Sequence, residues 1–536
     1  MSGWTDHLVI APIVVPMLAG AAMILAADRR RGVAVALGIA STVTLVALSV
    51  VLVAVADTPD VRMYRLGSWP SVFGIVLALD RLSAMMVALT SVLGLAALLF
   101  SLARWDRAGA HFHPLLQFQL MGLNGAFLTG DLFNLFVFFE VTLAASYGMA
   151  LHGSGTARVR AGLHYIVINL VASLLFLVGV SVAYGVAGTL NMADLVTRVH
   201  DIGAEDRALL EAGLAVLGVA FLVKAAMWPF GFWLPGTYAA AGAPAAAILS
   251  ILSKVGIYAV LRVWLLLFGD TAGLSAGFGS TWLTAGGLLT IAFGSITVLA
   301  AQDMARLAGA SVLVSSGTLL AAAGVGQAAV TGGALFYLAS SVLATAAFFL
   351  LIELVERGRE VGADVLAVTR AAFGTGEEDE FPDERDEVGI PIPGTVAILG
   401  ASFLACALLL AGLPPLSGFI AKFAILAPLL GPAGTGVPGM NWALLAALVL
   451  SGLATVVAML RTGIDTFWTS PAATIPRIRL VEIAPVALLL VLCGALTIGA
   501  GPAMKYMQAT ADALHTPRDY LRSVHAPPPP PPGERR

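Results

Sequence analysis

Four ionisable side chains lie inside long apolar stretches of this sequence. Glu140 is the only ionisable residue in the interior of DLFNLFVFFEVTLAASYGMAL, which covers residues 131–151. Lys224 lies within GLAVLGVAFLVKAAMWPFGFWLPG, Lys254 within AAAILSILSKVGIYAVLR, and Lys422 directly after GLPPLSGFIA. A charged group in such surroundings is costly, so we expect each one to be paired, neutral or beside water. Groups of this kind can take up and release protons.

The choice of lysine supports this chemistry. Only four of the 29 basic residues are lysines, and three of the four lie in apolar stretches, Lys505 being the other. A buried amine loses its proton far more readily than an amine in water, whereas a guanidinium keeps its proton. The three buried lysines are therefore candidates for a proton relay with Glu140. The alternatives are a structural ion pair for each lysine and a hydrogen-bonded carboxylic acid for Glu140.

Prolines predict helix breaks beside two of these lysines. Pro229 follows Lys224 by five residues, whereas Pro414, Pro415 and Gly418 precede Lys422. Proline removes a backbone donor and clashes with the preceding turn of a helix. Irregular backbone at membrane depth is tolerated only inside protein or beside water, and broken helices form ion sites in transporters. We expect breaks at both places.

Two further residues are auxiliary candidates. Phe139 precedes Glu140 in the chain, and His164 lies near the start of a helix in LHYIVINLV. A histidine in this position is also compatible with a purely structural hydrogen bond, so the two interpretations of His164 stay open.

Composition places the chain in a membrane. The 536 residues are 59% hydrophobic and 11% charged, with a mean hydropathy of +0.92, whereas soluble domains carry about 25% charged residues. This excludes soluble and disordered proteins. The two cysteines, Cys406 and Cys493, both lie in apolar runs, so we expect no disulfide framework, no metal site and no cofactor. A formal net charge of −3 argues against a nucleic-acid partner.

Runs of roughly 20 apolar residues, enough to cross a bilayer, occur about fourteen times. They cover residues 8–27, 33–55, 81–103, 114–129, 131–151, 161–187, 207–228, 243–266, 281–300, 304–325, 331–355, 393–431 with an interruption, 441–462 and 481–504. We predict an all-α, multi-pass membrane protein. If Arg29, Arg30 and Arg31 are cytoplasmic, most short arginine-bearing loops fall on that side and both termini face outward.

Five regions follow from these runs. We predict three N-terminal helices in residues 1–110 and a first repeat of five helices, the fourth to eighth, in residues 111–270. A second repeat, the ninth to thirteenth helices, covers residues 271–466, including an acidic cytoplasmic loop at 357–392. The repeats would be inverted, with broken seventh and twelfth helices. A final spanning helix (467–504) and a proline-rich tail (505–536) complete the chain.

Three segments together resemble a known family. They are TGDLFNLFVFFE at 129–140, KAAMWPF at 224–230 and LPPLSGFIAK at 413–422. The segments resemble the antiporter-like subunits of respiratory complex I, and within that superfamily the D subunits of multisubunit Mrp-type sodium/proton antiporters. GDLFNLFVFFE is the most specific of the three, and the resemblance covers residues 1–505.

The resemblance implies a fourteen-helix subunit of the bacterial plasma membrane, assembled with antiporter subunits A, B, C, E, F and G. Protons and Na⁺ would be its substrates, and sodium export would be coupled to proton entry. It also implies that Glu140 pairs with Lys224, and that Lys254 and Lys422 continue a proton path along the membrane midplane. Ser341 and Thr345 stand where relatives carry an HxxxK pattern on the eleventh helix, so hydroxyls or water must serve there.

Two other functions stay open from the residues. A proton-pumping subunit of a respiratory NADH-quinone oxidoreductase or of a membrane-bound hydrogenase would need nearly the same residues. A membrane scaffold without transport would tolerate loss of Glu140 and Lys224.

Overall fold

The computed structural model describes residues 6–26, 31–69, 74–269, 272–357, 394–431, 437–467 and 478–525. The predicted acidic loop lies outside these ranges from residue 358 onward. So do Arg29, Arg30 and the proline run at 527–532.

Helices account for nearly all of the described chain. The N-terminal half contains α1 (Ala11–Ala26), α2 (Arg31–Ala56), α3 (Arg81–Ser101), α4 (Phe112–Leu128), α5 (Leu132–Leu151), α6 (Thr156–Ala187), α7 (Met192–Asp201), α8 (Ala204–Lys224), α9 (Trp233–Ala240), α10 (Ala243–Leu249), α11 (Leu252–Ala259) and α12 (Leu265–Phe268). The C-terminal half contains α13 (Ser280–Ala300), α14 (Met304–Val325), α15 (Ala328–Glu356), α16 (Gly394–Ala411), α17 (Ser417–Leu429), α18 (Gly439–Phe467), α19 (Leu480–Ile498), α20 (Ala500–His515) and α21 (Arg518–His525).

Each predicted apolar run coincides with one of these helices or with a pair of them, except 243–266, which covers α10, α11 and the start of α12. Eleven helical segments are long and apolar enough to cross a membrane, and two shorter apolar helices, Ala11–Leu25 and Ser417–Leu429, accompany them. The prediction of a helical, multi-pass membrane protein is confirmed.

A small hairpin departs from the predicted all-α class. Strands β1 (Arg62–Arg65) and β2 (Val76–Leu79) pair antiparallel, with Arg62 opposite Leu79. The β2 residues are buried, so their backbone groups need partners within the protein. The pairing with β1 supplies these, and the amide of Gly130 donates to the Val76 carbonyl at 2.9 Å.

The eighth predicted span is interrupted, contrary to the expectation of one continuous helix around Lys254. α10 ends at Leu249, α11 begins at Leu252, and a π-helical turn over Val260–Trp264 precedes α12. Lys254 is therefore near the start of a short helix. Sequence periodicity could not reveal this break, because no proline or glycine marks it.

The predicted C-terminal tail begins with helical structure. Residues 505–525 lie in α20 and α21, which pack on the helix bundle. The Tyr506 hydroxyl donates to the Arg81 carbonyl at 2.9 Å, and Thr331 Oγ1 lies 3.0 Å from His515 Nε2. These contacts tie the C-terminal segment to α3 and α15.

Three helical segments form the centre of the bundle. The segment α10–α12, α14 and α15 are buried almost throughout, whereas α6, α13, α16, α18 and α19 expose apolar side chains on one face. A helix that is apolar all round belongs inside a large protein or a membrane. Polar side chains on α14 and α15 therefore face other helices and not lipid.

Candidate functional site

Glu140 and Lys224 lie close together but are not in direct contact. Ser173 Oγ, on α6, donates a short hydrogen bond to Glu140 Oε1 on α5. Lys224, the last residue of α8, holds its Nζ 5.1 Å from the ring centroid of Phe139. No ion pair within 4 Å joins Glu140 and Lys224, so the pairing implied by the family resemblance is absent from this conformation. Phe139 occupies the position over the ammonium group instead.

A cavity lies beside Lys224. Its lining comes from five helices and comprises Phe139, Thr142, Leu143, Asn169, Lys224, Trp233, Leu252 and Val255. Three of its buried polar atoms have no hydrogen-bond partner in the described chain: Lys224 Nζ, Thr142 Oγ1 and Trp233 Nε1. Buried polar groups are nearly always satisfied by protein or ordered water. Their convergence on one cavity therefore indicates a hydrated pocket.

The break after Lys224 brings α11 next to the pocket. α8 ends at Lys224, Ala226 has a positive φ of 58°, and a short 3₁₀ turn over Phe230–Phe232 follows Pro229. A Cβ on Gly256 would lie 2.6 Å from the backbone of the break. Glycine at this position thus allows α11, which carries Lys254, to approach the end of α8.

Lys254 is almost completely enclosed. Its side chain is 2% exposed, and its Nζ donates to Ser316 Oγ on α14 at 3.3 Å. Across the described ranges no carboxylate oxygen lies within 4 Å of the Nζ of Lys224, Lys254 or Lys422. The alternative of a structural ion pair thus has no support at any of these lysines.

Lys422 bridges the second helix break. α16 ends at Ala411, α17 begins at Ser417 after Pro414 and Pro415, and Lys422 Nζ donates to the Ala411 carbonyl at 2.8 Å. A Cβ on Gly418 would lie 2.1 Å from the Leu409 carbonyl oxygen. Only glycine therefore allows the two half-helices to cross this closely.

Hydroxyl groups link α14, α15 and α17 between the last two lysines. Ser315 Oγ is 3.1 Å from Ser341 Oγ, and Ser340 Oγ is 2.8 Å from Ser417 Oγ. Thr345 Oγ1 donates to the Ser341 carbonyl at 2.7 Å. A second cavity lies among these groups; its lining includes Ser311, Ser315, Tyr337, Ser340, Ser341, Thr345 and Thr455.

These hydroxyl groups lie next to the surroundings of both Lys254 and Lys422. Ser316, the partner of Lys254, is the chain neighbour of Ser315, and Ser417 begins the half-helix that carries Lys422. Ser341 and Thr345 both lie at the cavity.

His164 lies apart from the site. It is exposed on α6, and its Nδ1 is 2.9 Å from the Arg160 carbonyl oxygen of the preceding turn. The structure supports the structural interpretation of this residue.

Sequence reasoning missed several polar residues of the site. Thr142, Ser173, Trp233, Ser316 and Ser417 all contribute polar atoms. Two pairs of adjacent serines, at 315–316 and 340–341, interrupt otherwise apolar runs and could have indicated polar positions of the site. Nothing in the sequence distinguished Trp233 from the other tryptophans.

Comparison with known proteins identifies the family. The model of the family described as NADH:quinone oxidoreductase/Mrp antiporter matches residues 129–372. A Rhizobium meliloti (strain 1021) protein, named as the probable D subunit of a K⁺/H⁺ antiporter, is 58% identical, covering 98% of this chain and 99% of its own. The chain belongs to the antiporter D-subunit family. The D subunit of the Alkalihalophilus pseudofirmus Na⁺/H⁺ antiporter is 34% identical, covering 97% of this chain and 99% of its own.

Two solved structures have the same fold. A chain of the Mrp complex from Dietzia sp. DQ12-45-1b superposes with a TM-score of 0.80 at 25% identity, covering 97% of this chain and 99% of its own. A chain of respiratory complex I from Thermus thermophilus has a TM-score of 0.74 at 23% identity, covering 95% of this chain and 99% of its own. This second likeness concerns the fold alone. As a member of the D-subunit family, the chain is one component of a multisubunit cation/proton antiporter and thus part of a transporter.

Proposed function

We propose that this protein carries protons through Glu140, Lys224, Lys254 and Lys422, in exchange for a monovalent cation moved by the assembled complex. The observation that carries the proposal is that all three lysines are buried at helix interruptions, with no carboxylate oxygen of the described residues within 4 Å of their Nζ atoms. A purely structural lysine would gain from an ion pair at that depth. A lysine that must exchange its proton instead needs water or neutral hydroxyl groups beside it.

The first step takes place at Glu140 and Lys224. When the Glu140 carboxylate approaches Lys224, it stabilises the ammonium form, and when it withdraws, it favours release of the proton. The present conformation is the withdrawn one, because Glu140 accepts from Ser173 and Lys224 faces Phe139 and the cavity. Water in that cavity would receive the proton on the side of α11.

The next steps lead from Lys254 to Lys422. Lys254 contacts Ser316, and the serine pairs between α14, α15 and α17 continue to the helix of Lys422. Hydroxyls donate and accept at once, so with intervening water they can pass a proton without charged side chains. This arrangement would replace the histidine and lysine of other relatives.

The finer features of the assembly belong to the same proposal. They are fourteen crossings, ten of them in two inverted five-helix repeats, partner subunits A, B, C, E, F and G, and a bacterial plasma membrane. One relative is named for K⁺/H⁺ antiport and another for Na⁺/H⁺ antiport. The exported cation in our proposal is Na⁺, and the transport test therefore compares both cations.

The experiment measures collapse of a pH gradient in inverted vesicles that contain the whole complex, after addition of NaCl or KCl. We expect Glu140→Gln, Lys224→Ala, Lys254→Ala and Lys422→Ala to lower the exchange rate by at least about tenfold, as is usual for loss of a proton-transfer group. Each sample is checked for assembled complex. Lys505→Ala is the matched control, because Lys505 is exposed on α20. Normal exchange in all four variants would contradict the relay.

A further inference from the structure

A second buried ionic group lies at one end of the bundle, outside the relay. Asp80 precedes α3 and accepts two hydrogen bonds from Arg262, at 2.5 and 2.8 Å. The side chains are 18% and 4% exposed, respectively. Arg262 belongs to the π-helical turn Val260–Trp264, and such turns are frequent at functional sites.

The helix of Lys254 leads directly to this pair. Lys254, Tyr258 and Arg262 follow one another at intervals of four residues, a spacing that places side chains on one helix face. The Arg262 Nε donates to the Tyr258 hydroxyl at 3.3 Å, and that hydroxyl donates to the Phe127 carbonyl at 2.6 Å. Tyr258 therefore holds Arg262 in position from the side of Lys254.

A cavity lies on the other side of the pair. Its lining includes Asp80, Arg262, Thr58, Thr516, Asp519 and Tyr520. Thr58 and Thr516 are exposed, so the cavity reaches the surface at the end of the molecule where α2 ends and α3 begins. This cavity lies beside the ends of several helices. Lys224, by contrast, lies at the helix break that ends α8.

Tyr520 supplies an independent sign that the cavity holds water. Its ring lies 5.5 Å from the Arg262 guanidinium, and the side chain is buried. Its hydroxyl has no hydrogen-bond partner in the part of the chain that the structure describes. A buried hydroxyl at a cavity wall normally bonds to ordered water.

Arg262 controls the protonation of Asp80. Burial alone would raise the pKa of Asp80, but the Arg262 guanidinium and the hydrogen bonds from Ser83 lower it below its ordinary value. Asp80 is thus a carboxylate while Arg262 is in place. Separation of the two would leave a buried carboxylate that favours protonation.

We propose that the Asp80–Arg262 pair and its cavity form the site at which protons pass between Lys254 and water on this face of the membrane. The proposal rests on the relay function proposed above. A proton from cavity water binds the Asp80 carboxylate when it separates from Arg262, which gives a neutral acid. Asp80 then passes the proton through water to the neutral Lys254 amine, which leaves an ammonium group and a carboxylate that returns to Arg262. Tyr258 acts as a positioning residue.

The test measures cation-dependent proton movement in vesicles with assembled Asp80→Asn complex. We expect a loss of at least about tenfold, since asparagine cannot take up the proton. Asp206→Asn is the matched control, because Asp206 is exposed near the start of α8 and does not line this cavity. It should retain exchange within about twofold.

A second variant covers the case in which Asp80→Asn fails to assemble. Thr516→Cys places a thiol at the cavity mouth, and Cys406 and Cys493 are buried. Treatment of intact cells with a membrane-impermeant cationic methanethiosulfonate reagent, before inverted vesicles are prepared, should block exchange in this variant. It should leave exchange unchanged in Ala208→Cys, whose residue is exposed near the start of α8.

The outcomes separate this proposal from the relay itself. Normal exchange in assembled Asp80→Asn complex, or in fully labelled Thr516→Cys complex, would overturn the proposed site. If Lys254→Ala then abolishes exchange, the relay stands, and protons pass between the relay and water at another place. If Lys254→Ala is also normal, the relay fails as well.

Discussion

Lys422 Nζ donates a hydrogen bond to the carbonyl oxygen of Ala411 across the second helix break, at 2.8 Å. Ala411 is the last residue of α16, and carbonyls in the last turn of a helix have no partner within that helix. One side chain therefore joins the two half-helices and also supplies the titratable group. An amine can donate this bond both as an ammonium and as a neutral group, so the contact survives loss of the proton.

A comparison of Lys422→Ala with Lys422→Gln should separate the structural role of Lys422, which joins the half-helices, from its role as a titratable group. Alanine leaves the Ala411 carbonyl buried without a donor, at a cost of about 1–3 kcal/mol. Glutamine keeps a donor but cannot titrate. We expect a lower thermal midpoint for the alanine variant than for the glutamine variant, and loss of exchange in both. The measurements are thermal denaturation of the solubilised complex and vesicle exchange. Exchange at the normal rate in Lys422→Gln would contradict a relay role.

Ser340→Ala and Ser417→Ala should slow exchange, because each removes one hydroxyl of the pair that joins α15 to α17. We expect the reduction to be several-fold and the double variant to be little worse than either single one, since both act on one contact. Ser91→Ala is the control, because Ser91 is equally buried but donates only within α3, to the Val87 carbonyl. Additive losses in the double variant would argue against a shared step.

Trp233→Phe should slow proton movement while leaving the complex assembled. The change keeps most of the aromatic packing but removes the Nε1 donor that lines the Lys224 cavity without a protein partner. Water in the cavity would lose one of its few hydrogen-bond donors. Trp282→Phe, at a side chain that is 79% exposed, should have no effect. Equal rates for both variants in the vesicle assay would show that the indole N–H is not used.

Gly256→Ala is expected to destabilise the contact between α11 and α8. The new Cβ would meet Ala225 N and Phe221 O at 2.6 Å, so one helix must shift. Overpacking of this kind costs about 1–3 kcal/mol. Gly185→Ala, where nothing lies within 4 Å of the new Cβ, should be neutral or slightly stabilising. The yield and thermal midpoint of the complex provide the measurement, and equal values for the two variants would contradict the close approach.

The Asp80–Arg262 pair should stabilise the fold independently of pH in the physiological range. Its effect is complete above the ordinary aspartate pKa of 3.8 and is lost only as the pH falls through the lower folded-state pKa. Asp80→Asn should therefore lower the thermal midpoint equally at pH 6 and pH 8, since it leaves a buried guanidinium unpaired, at about 3–5 kcal/mol. Adding Arg262→Gln should recover part of the loss. A midpoint difference that grows between pH 6 and pH 8 would contradict this assignment.

The positions of the helices and of two breaks followed from the sequence because they depend on local properties. Apolar runs of spanning length and the geometry of proline act within one segment. They located the helix before Pro229 and the helices on both sides of Pro414 and Pro415. The break before Lys254 escaped prediction, because its backbone is held by packing in the bundle centre and not by a residue that breaks helices.

The contacts of the four relay candidates were decided by tertiary structure. Glu140 is bonded to Ser173 and not to Lys224, Lys254 contacts Ser316, and Lys422 contacts Ala411. Lys254 and Ser316 are separated by 62 residues, and which side chains meet depends on how the helices cross. The sequence by itself determined that titratable groups are buried in a membrane protein, since residue types and hydropathy are local. Only the packed bundle decided which hydroxyls, carbonyls and cavities those groups face, because these distances are set between helices far apart in the chain.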